Sequence, residues 1–420
     1  MKRSRVDLLA TAGSSCWSSI PGDLLEQISG HLSTDADLLH IHQACAHWRA
    51  STSPPASCRP WIRAVRTGWS RPLAPGDTDY SFWLPRRQHQ RQVETRAPPA
   101  GVPYCLGASR GWLAMGDRRR VPWDPASGAR PLTRLVLWDP ASGAEVQLPC
   151  LRDATHVFLS GDPLASPHSW MAVASQRVAD IAIKPFFWRP GGAAAWSPLG
   201  ERNTAAFISV AFHGGRAYCV DAYRVVYVYD LGTAARPPAL VGARNAGAMV
   251  DEIWKCHRFS YRPNGAHLVT GRAGGELLLV AWRRGPGIRW AEPAVSSCCS
   301  PLCSFFAVVF KLDWTRDEPE LGERVTDLGE HALFLGHGEC LALSSKEFPG
   351  IKRNHVYCVA PEWNVSSKHD RTLPDWAFVF DLGSGTSQEI PYPRELRDDG
   401  TNWRPFSWFC LRTPFMKQQQ

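Results

Sequence analysis

The chain has 420 residues, 44% hydrophobic and 20% charged, a globular composition that excludes an intrinsically disordered protein and accommodates one small and one large domain. Only eight of the 47 basic residues are lysine, no basic run exceeds three residues (Arg118 to Arg120), and no aromatic–basic alternation marks a base-stacking platform; despite a formal charge of +8, nucleic acid is not the expected partner. Thirteen cysteines without a CxxC pair, and apolar runs no longer than 277–282 and 303–310, point away from a disulfide framework and a membrane span and towards a soluble protein of the cytoplasm or nucleus.

The first elements in chain order are helical. Pro21 suits a helix's first turn and Asp23 complements the positive end of the helix dipole. Leu24, Leu25, Ile28 and Leu32 follow as one apolar stripe, after Ile20. Thr34 and Asp37 resemble a shortened capping box, and Leu38, Ile41, Cys45 and Trp48 form a second stripe that "STSPP" (51–55) ends. A block of this size lies below the roughly 40 residues at which a domain holds a core without metal, disulfide or partner. Its apolar surface therefore has to be completed by another surface, in cis or in trans.

The block resembles the F-box. Trp17, Ile20-Pro21-Gly22-Asp23-Leu24-Leu25, Ile28, Asp35 and Cys45-Ala46-His47-Trp48-Arg49 stand in that family's register, with Ile in place of Leu before the proline. The resemblance implies a three-helix module at 15–52 that docks a Skp-type adaptor, and through it a cullin. Pro21, Leu24, Leu25 and Ile28 would face the adaptor, and Leu38, Ile41 and Trp48 would close the helices or touch it. A Pro/Ser/Arg-rich linker at 53–60 follows.

From about residue 60 the chain turns to short apolar or alternating runs bounded by Gly, Pro, Asp and Ser, which predict strands, with no βαβ alternation. Three strands end alike, in "LWDPASG", "VYDLGTA" and "VFDLGSG", with aspartates at 139, 230 and 381. Spacings of 91 and 151 residues, divided into two and three steps, predict a mainly β fold, a β-propeller of about six blades over 61–415. A seventh blade built from 60–100 and the C-terminal "WFCLRTP" sets the upper bound. "PWDPASGARP" (122–131) nearly repeats "LWDPASGAEV" fifteen residues on, and is read as a lengthened surface hairpin.

The stretch 327–359, with "FVFDLGSGTSQEIPYP", "NWRPFSWF", "SRGWL", "WDPASGAEVQLP" and "VAFHGGRAYCVD", resembles the plant module called domain of unknown function 295, or KIB-type β-propeller. F-box plus this propeller is a plant pairing. It implies a non-catalytic substrate-recognition subunit of a Skp–cullin–F-box ubiquitin ligase, its propeller binding an unidentified target protein. The alternatives are a ligase-independent binding or inhibitory propeller with a vestigial F-box, and a propeller enzyme with a site at the channel mouth.

Catalytic motifs do not survive their context. "GASRG" (107–111) matches the G-x-S-x-G elbow but leads into another strand, not a helix. "CCSPLC" (Cys298, Cys299, Cys303) lacks a second ligand pair, and His331, His337, Glu339, Cys340 and His355 lack fixed metal spacing. No glycine-rich phosphate cradle precedes a helix, so no cofactor or metal is expected.

Overall fold

The fold comes from a computed structural model. It describes residues 19–32, 41, 44, 46–52, 60–66, 73, 76–84, 91–93, 97–118, 132–140, 142–179, 182–201, 204–233, 236–246, 248–249, 265–271, 276–284, 305–313, 315–317, 319–346, 348, 351–359, 376–393 and 403–411. The chain divides into two compact units, Met1–Arg59 and Pro60–Gln420.

In the first unit, helix α1 spans Gly22–Gly30 and helix α2 spans Ala46–Ser51. Pro21 precedes α1 with an extended backbone, and its carbonyl accepts the amides of Leu24 and Leu25, starting the helix without a side-chain cap. The Ile20 carbonyl meets His47 Nε2 at 2.7 Å, tying the entry of α1 to α2. The segment carrying Trp17, and that carrying Thr34, Asp35 and Asp37, lie outside the described residues.

The second unit is a six-bladed propeller. Blade 1 is β1 (Trp61–Arg66), β2 (Tyr80–Leu84) and β3 (Arg91–Val93), with the last strand of the chain, β26 (Trp403–Phe409), on the free side of β1. Blade 2 is β4 (Tyr104–Ser109), β5 (Trp112–Gly116), β6 (Leu132–Trp138) and β7 (Glu145–Arg152). Blade 3 is β8 (Ala154–Leu159), β9 (Ala172–Arg177) and β10 (Ala182–Trp188), with the two-residue strands β11 (Ser197–Pro198) and β12 (Thr204–Ala205) both on β10. Blade 4 is β13 (Phe207–His213), β14 (Arg216–Asp221), β15 (Val225–Asp230) and β16 (Ala239–Asn245). Blade 5 is β17 (Gly265–Thr270), β18 (Leu277–Arg284), β19 (Phe305–Asp313) and β20 (Glu320–Val325).

Blade 6 departs from the four-strand meander. It holds β21 (His331–Leu335), β22 (Leu341–Ser344), β23 (His355–Cys358), β24 (Ala377–Asp381) and β25 (Ser387–Ile390) in the order β22-β21-β23-β24-β25, with β21 and β23 parallel.

The blade count agrees with the expectation, but the steps fall differently. Asp230 and Asp381 lie two blades apart, not three, so these steps average about 75 residues against the about 45 usual for propeller blades. Segments 285–304 and 360–375, which take up part of the excess, lie outside the described residues. The termini of the unit share blade 1 and do not add a seventh: β26 pairs antiparallel with β1 from Trp61↔Phe409 to Arg66↔Trp403. This pairing covers the free side of β1, while each blade keeps a short outer edge. The near-repeat at 122–131 falls between β5 and β6, outside the described residues.

Burial follows position. Strands β5 and β8 are buried along their whole length, whereas β7, β16 and β20 are mostly half-buried or exposed. Each apolar cluster straddles a seam between blades. Leu137 and Trp112 share a cluster with Val157 and Ala172, Phe158 with Phe207, and Val228 with Leu268, while Phe305 and Phe306 meet Phe378 and Phe380 and Trp408 meets Phe334. Where β4 meets β8 the backbones come so close that a Cβ on Gly107 would lie 2.4 Å from the Val157 carbonyl oxygen.

Two stability predictions follow from these positions. Gly107→Ala forces two inner strands apart and is expected to cost about 1–3 kcal/mol, read as a lower denaturation midpoint. His267 on β17 is fully buried beside Trp282, and burial pulls its pKa down to about 4. The unfolded chain therefore takes up a proton between about pH 6.5 and 4 that the folded chain refuses. Its contribution is whole above pH 6.5 and falls by about 3 kcal/mol towards pH 4. Denaturant titrations of wild type and His267→Phe across this range should show the smaller pH slope in the variant.

Candidate functional site

The first candidate surface is the ridge of α1. Leu25 is wholly buried, whereas its neighbours Leu24 and Ile28 are 49% and 44% exposed. They stand four residues apart and hence on one face of the helix. Pro21 is exposed, Ile20, Leu32 and Trp48 are half-buried, and Ile41 is buried. Leu38 and Cys45 lie outside the described residues. The stripe read from periodicity thus divides into an inward residue, Leu25, and an outward pair, Leu24 and Ile28. Exposed leucine and isoleucine side by side are what a partner surface removes from water.

The second candidate is the propeller axis, where the G-x-S-x-G and histidine motifs converge. Arg110 and Gly111 both have positive φ (53° and 78°), and Ser109 pairs with Trp112. "GASRG" is therefore a strand followed by a two-residue hairpin turn, as expected, and not a nucleophile elbow. The buried Ser109 hydroxyl accepts the Leu159 amide at 3.2 Å and sits 3.4 Å from the Leu159 carbonyl, pinning β4 to β8. Ser209 repeats the device on β13, accepting the Leu268 amide at 3.0 Å and facing the Leu268 carbonyl at 3.4 Å. Two inner strands from neighbouring blades are stitched through a hydroxyl instead of a backbone ladder.

Residues 336–340 run across the axis between β21 and β22. His337 donates its amide to the Phe406 carbonyl, Gly338 donates to that of Ile208, and Glu339 accepts the Arg110 amide. The buried His337 ring stacks on His156 at 4.3 Å and on Phe406 at 4.4 Å. Beyond Phe406 lies the Arg63 guanidinium, itself buried, 4.7 Å from the ring centre and bonded to Ser407 Oγ and to the carbonyl and sulfur of Cys105. His337, Glu339 and Cys340 are thus packing groups of the axis, while His355 lies elsewhere on blade 6 beside Asp381. Among the described residues no cluster of three or more His, Cys, Asp or Glu could hold a metal ion, and no helix is long and apolar enough to cross a membrane. Cys298, Cys299 and Cys303 lie outside the described residues.

The recurrent aspartates are turn residues. Asp139 accepts the Ser142 hydroxyl at 2.6 Å, and Asp381 accepts the Ser384 hydroxyl and the Gly383 amide at 2.9 Å each. Asp230 accepts the Gly232 amide at 2.8 Å. Each closes the hairpin after the strand it ends.

The sequence pattern described as the KIB1-4 beta-propeller matches residues 80–381. The chain belongs to the KIB1-4 β-propeller family. Two Arabidopsis thaliana proteins are similar to it. One named as an F-box protein is 31% identical over 93 residues, which is 22% of each chain. One named as a putative F-box protein is 24% identical over 398 residues, 90% of this chain and 95% of its own. The chain thus spans about a fifth of the first relative and nearly all of the second. Among solved structures, Kluyveromyces lactis Hsv2p aligns at 13% identity over 58% of this chain and 57% of its own, with a TM-score of 0.27.

The serine pins give the KIB1-4 propeller a test. Ser209→Ala leaves the buried Leu268 amide without its acceptor and should destabilise the unit by about 1–3 kcal/mol. Hydrogen exchange should rise first at Leu268 and its strand neighbours.

Proposed function

We propose that this chain is the substrate receptor of a Skp–cullin–F-box ubiquitin ligase. Its N-terminal module, residues 15–52, docks the Skp-type adaptor, the segment 53–60 links the two units, and the propeller over 61–415 holds a target protein. The observation that carries this reading is the exposed pair Leu24 and Ile28 on α1, beside a buried Leu25, in a chain whose relatives are named as F-box proteins. An adaptor groove that covers the pair gains roughly 1.5–3 kcal/mol for each side chain taken fully out of water. Pro21 and the half-buried Ile20, Leu32 and Trp48 extend the contact, with the buried Leu25 and Ile41 behind them; Leu38 and Cys45, expected in the same contact, lie outside the described residues.

The receptor performs no bond chemistry. Catalysis belongs to the conjugating enzyme brought in by the cullin, and the receptor raises the effective concentration of target lysines near it. The reading puts this work in the cytoplasm or nucleus, where buried thiols such as Cys105, Cys219 and Cys358 stay reduced.

Leu24→Asp places a charge on the exposed face of α1 without entering the propeller core. The variant is expected to lose co-purification with a recombinant Skp adaptor by tenfold or more, while its propeller keeps the wild-type melting profile. Retention of adaptor at wild-type yield would overturn the assignment.

A further inference from the structure

Blade 6 carries an open cleft of about 480 Å³ lined by Asp327, Lys352, Arg353, Asn354, His355 and Asp381. Its floor is rigid. Asn354 holds a left-handed backbone (φ 56°) and knits three segments together. Its amide donates to the His331 carbonyl, its carbonyl accepts Leu382, and its side-chain oxygen accepts Leu328. Lys352 is anchored from its backbone amide to the Tyr357 hydroxyl at 2.9 Å.

The carboxylates of the cleft are committed internally. Asp381 takes the Gly383 amide and the Ser384 hydroxyl, and His355 Nε2 stands 4.0 Å from its second oxygen. Burial pushes this carboxyl up, but those hydrogen bonds and the His355 charge outweigh it and hold the group below the ordinary carboxylate range. His355 Nδ1 faces the Arg353 carbonyl at 2.6 Å; a carbonyl can only accept, so Nδ1 carries a hydrogen and the ring is fixed in place. Asp327 accepts the Gly329 amide.

The cations are not committed in this way. Lys352 Nζ meets only the neutral Gln388 amide oxygen, at 3.2 Å, and the exposed Arg353 guanidinium has no hydrogen bond or ion pair among the described residues. An arginine fork and a lysine point charge on consecutive residues, over a hydrogen-bonded floor, match a tetrahedral oxyanion.

We infer that the blade 6 cleft is a phosphate-binding site, in which Arg353 and Lys352 hold the anion above Asn354. The chemistry is the same for free phosphate and for a phosphorylated side chain of a partner polypeptide. Asp327 is the opposing charge at the rim, and it makes the reading testable in both directions.

The full-length chain is titrated calorimetrically with inorganic phosphate and with a short phosphoserine peptide, at constant ionic strength set with chloride. Arg353→Ala and Lys352→Ala should each weaken binding about tenfold, the scale of one charge-assisted hydrogen bond. Asp327→Asn should tighten it about two- to fivefold, since it removes a like charge from the site. Peptide binding tighter than that of phosphate assigns the site to a modified polypeptide, and equal affinity assigns it to the free anion. Absence of binding, or binding that ignores all three substitutions, overturns the proposal. All three residues lie outside the core, so the melting profile separates loss of site from loss of fold.

Discussion

A ring of sheets without covering helices has to be closed at its ends and filled at its centre, and in this chain both demands meet at β26. Its outer edge completes blade 1 through six residue pairs with β1, and its Phe406 and Ser407 reach the axis. Residues 336–340 then touch blade 1 through Phe406, blade 2 through Arg110, blade 3 through His156 and blade 4 through Ile208 and Ser209. Because a single short segment bonds to four other blades, the inner strands cannot splay independently. This is a non-local arrangement: the Arg63–Ser407 bond alone joins residues 344 positions apart. The loop entropy of such contacts is met only once most of the ring is present, so the unit is expected to fold cooperatively and late.

The seams between blades are of two kinds. Apolar seams, such as Phe158 against Phe207 or Phe305 against Phe378, supply the non-directional part of the stability. Polar pins fix how one blade slides along the next. Ser109 and Ser209 each meet an amide and a carbonyl of the adjacent inner strand, and Arg63 and Asp79 reach Cys105 across the seam of blades 1 and 2. An apolar seam tolerates a small slip, because its energy scales with area. A hydroxyl set 3.0–3.2 Å from a backbone amide does not, because a buried donor left unpaired costs more than the bond gains.

What could be read from the residues divides along the same line. Turn chemistry is local, so Asp139, Asp230 and Asp381 announced the ends of three strands and, through their spacing, the propeller. The division of the 151-residue interval failed because long connections inflate a step without adding a blade. In the helical module, periodicity identified the stripe but not its orientation. Leu24 and Leu25 are equivalent as pattern, and only the packing of α1 on α2 makes one exposed and the other buried. The serine pins left no signal at all. A serine inside "GASRG" or "FISVAFH" reads as a neutral strand residue, and its role exists only when a strand about 50 or 59 positions away is laid alongside.

Blade 6 shows how an exception to the repeat makes a surface. In blade 2, Asp139 ends its strand in an Asp–Ser–Gly turn. Asp381 ends its strand in a similar turn, but in blade 6 the strands β21 and β23 are parallel and begin at the same end of the sheet. Strand β22 runs antiparallel to β21 and ends where β21 starts, with Ser344 opposite His331, so the chain passes the start of β21, which lies between β22 and β23, before β23 begins. That passage delivers Lys352, Arg353 and His355 beside Asp381 and next to Asp327 in the loop before β21. An antiparallel meander would have spent those residues in a two-residue hairpin, as it does at Arg110 and Gly111. Residues 336–340 fill the axis, and among the described residues the irregular blade gathers charged side chains at its strand ends, open to solvent.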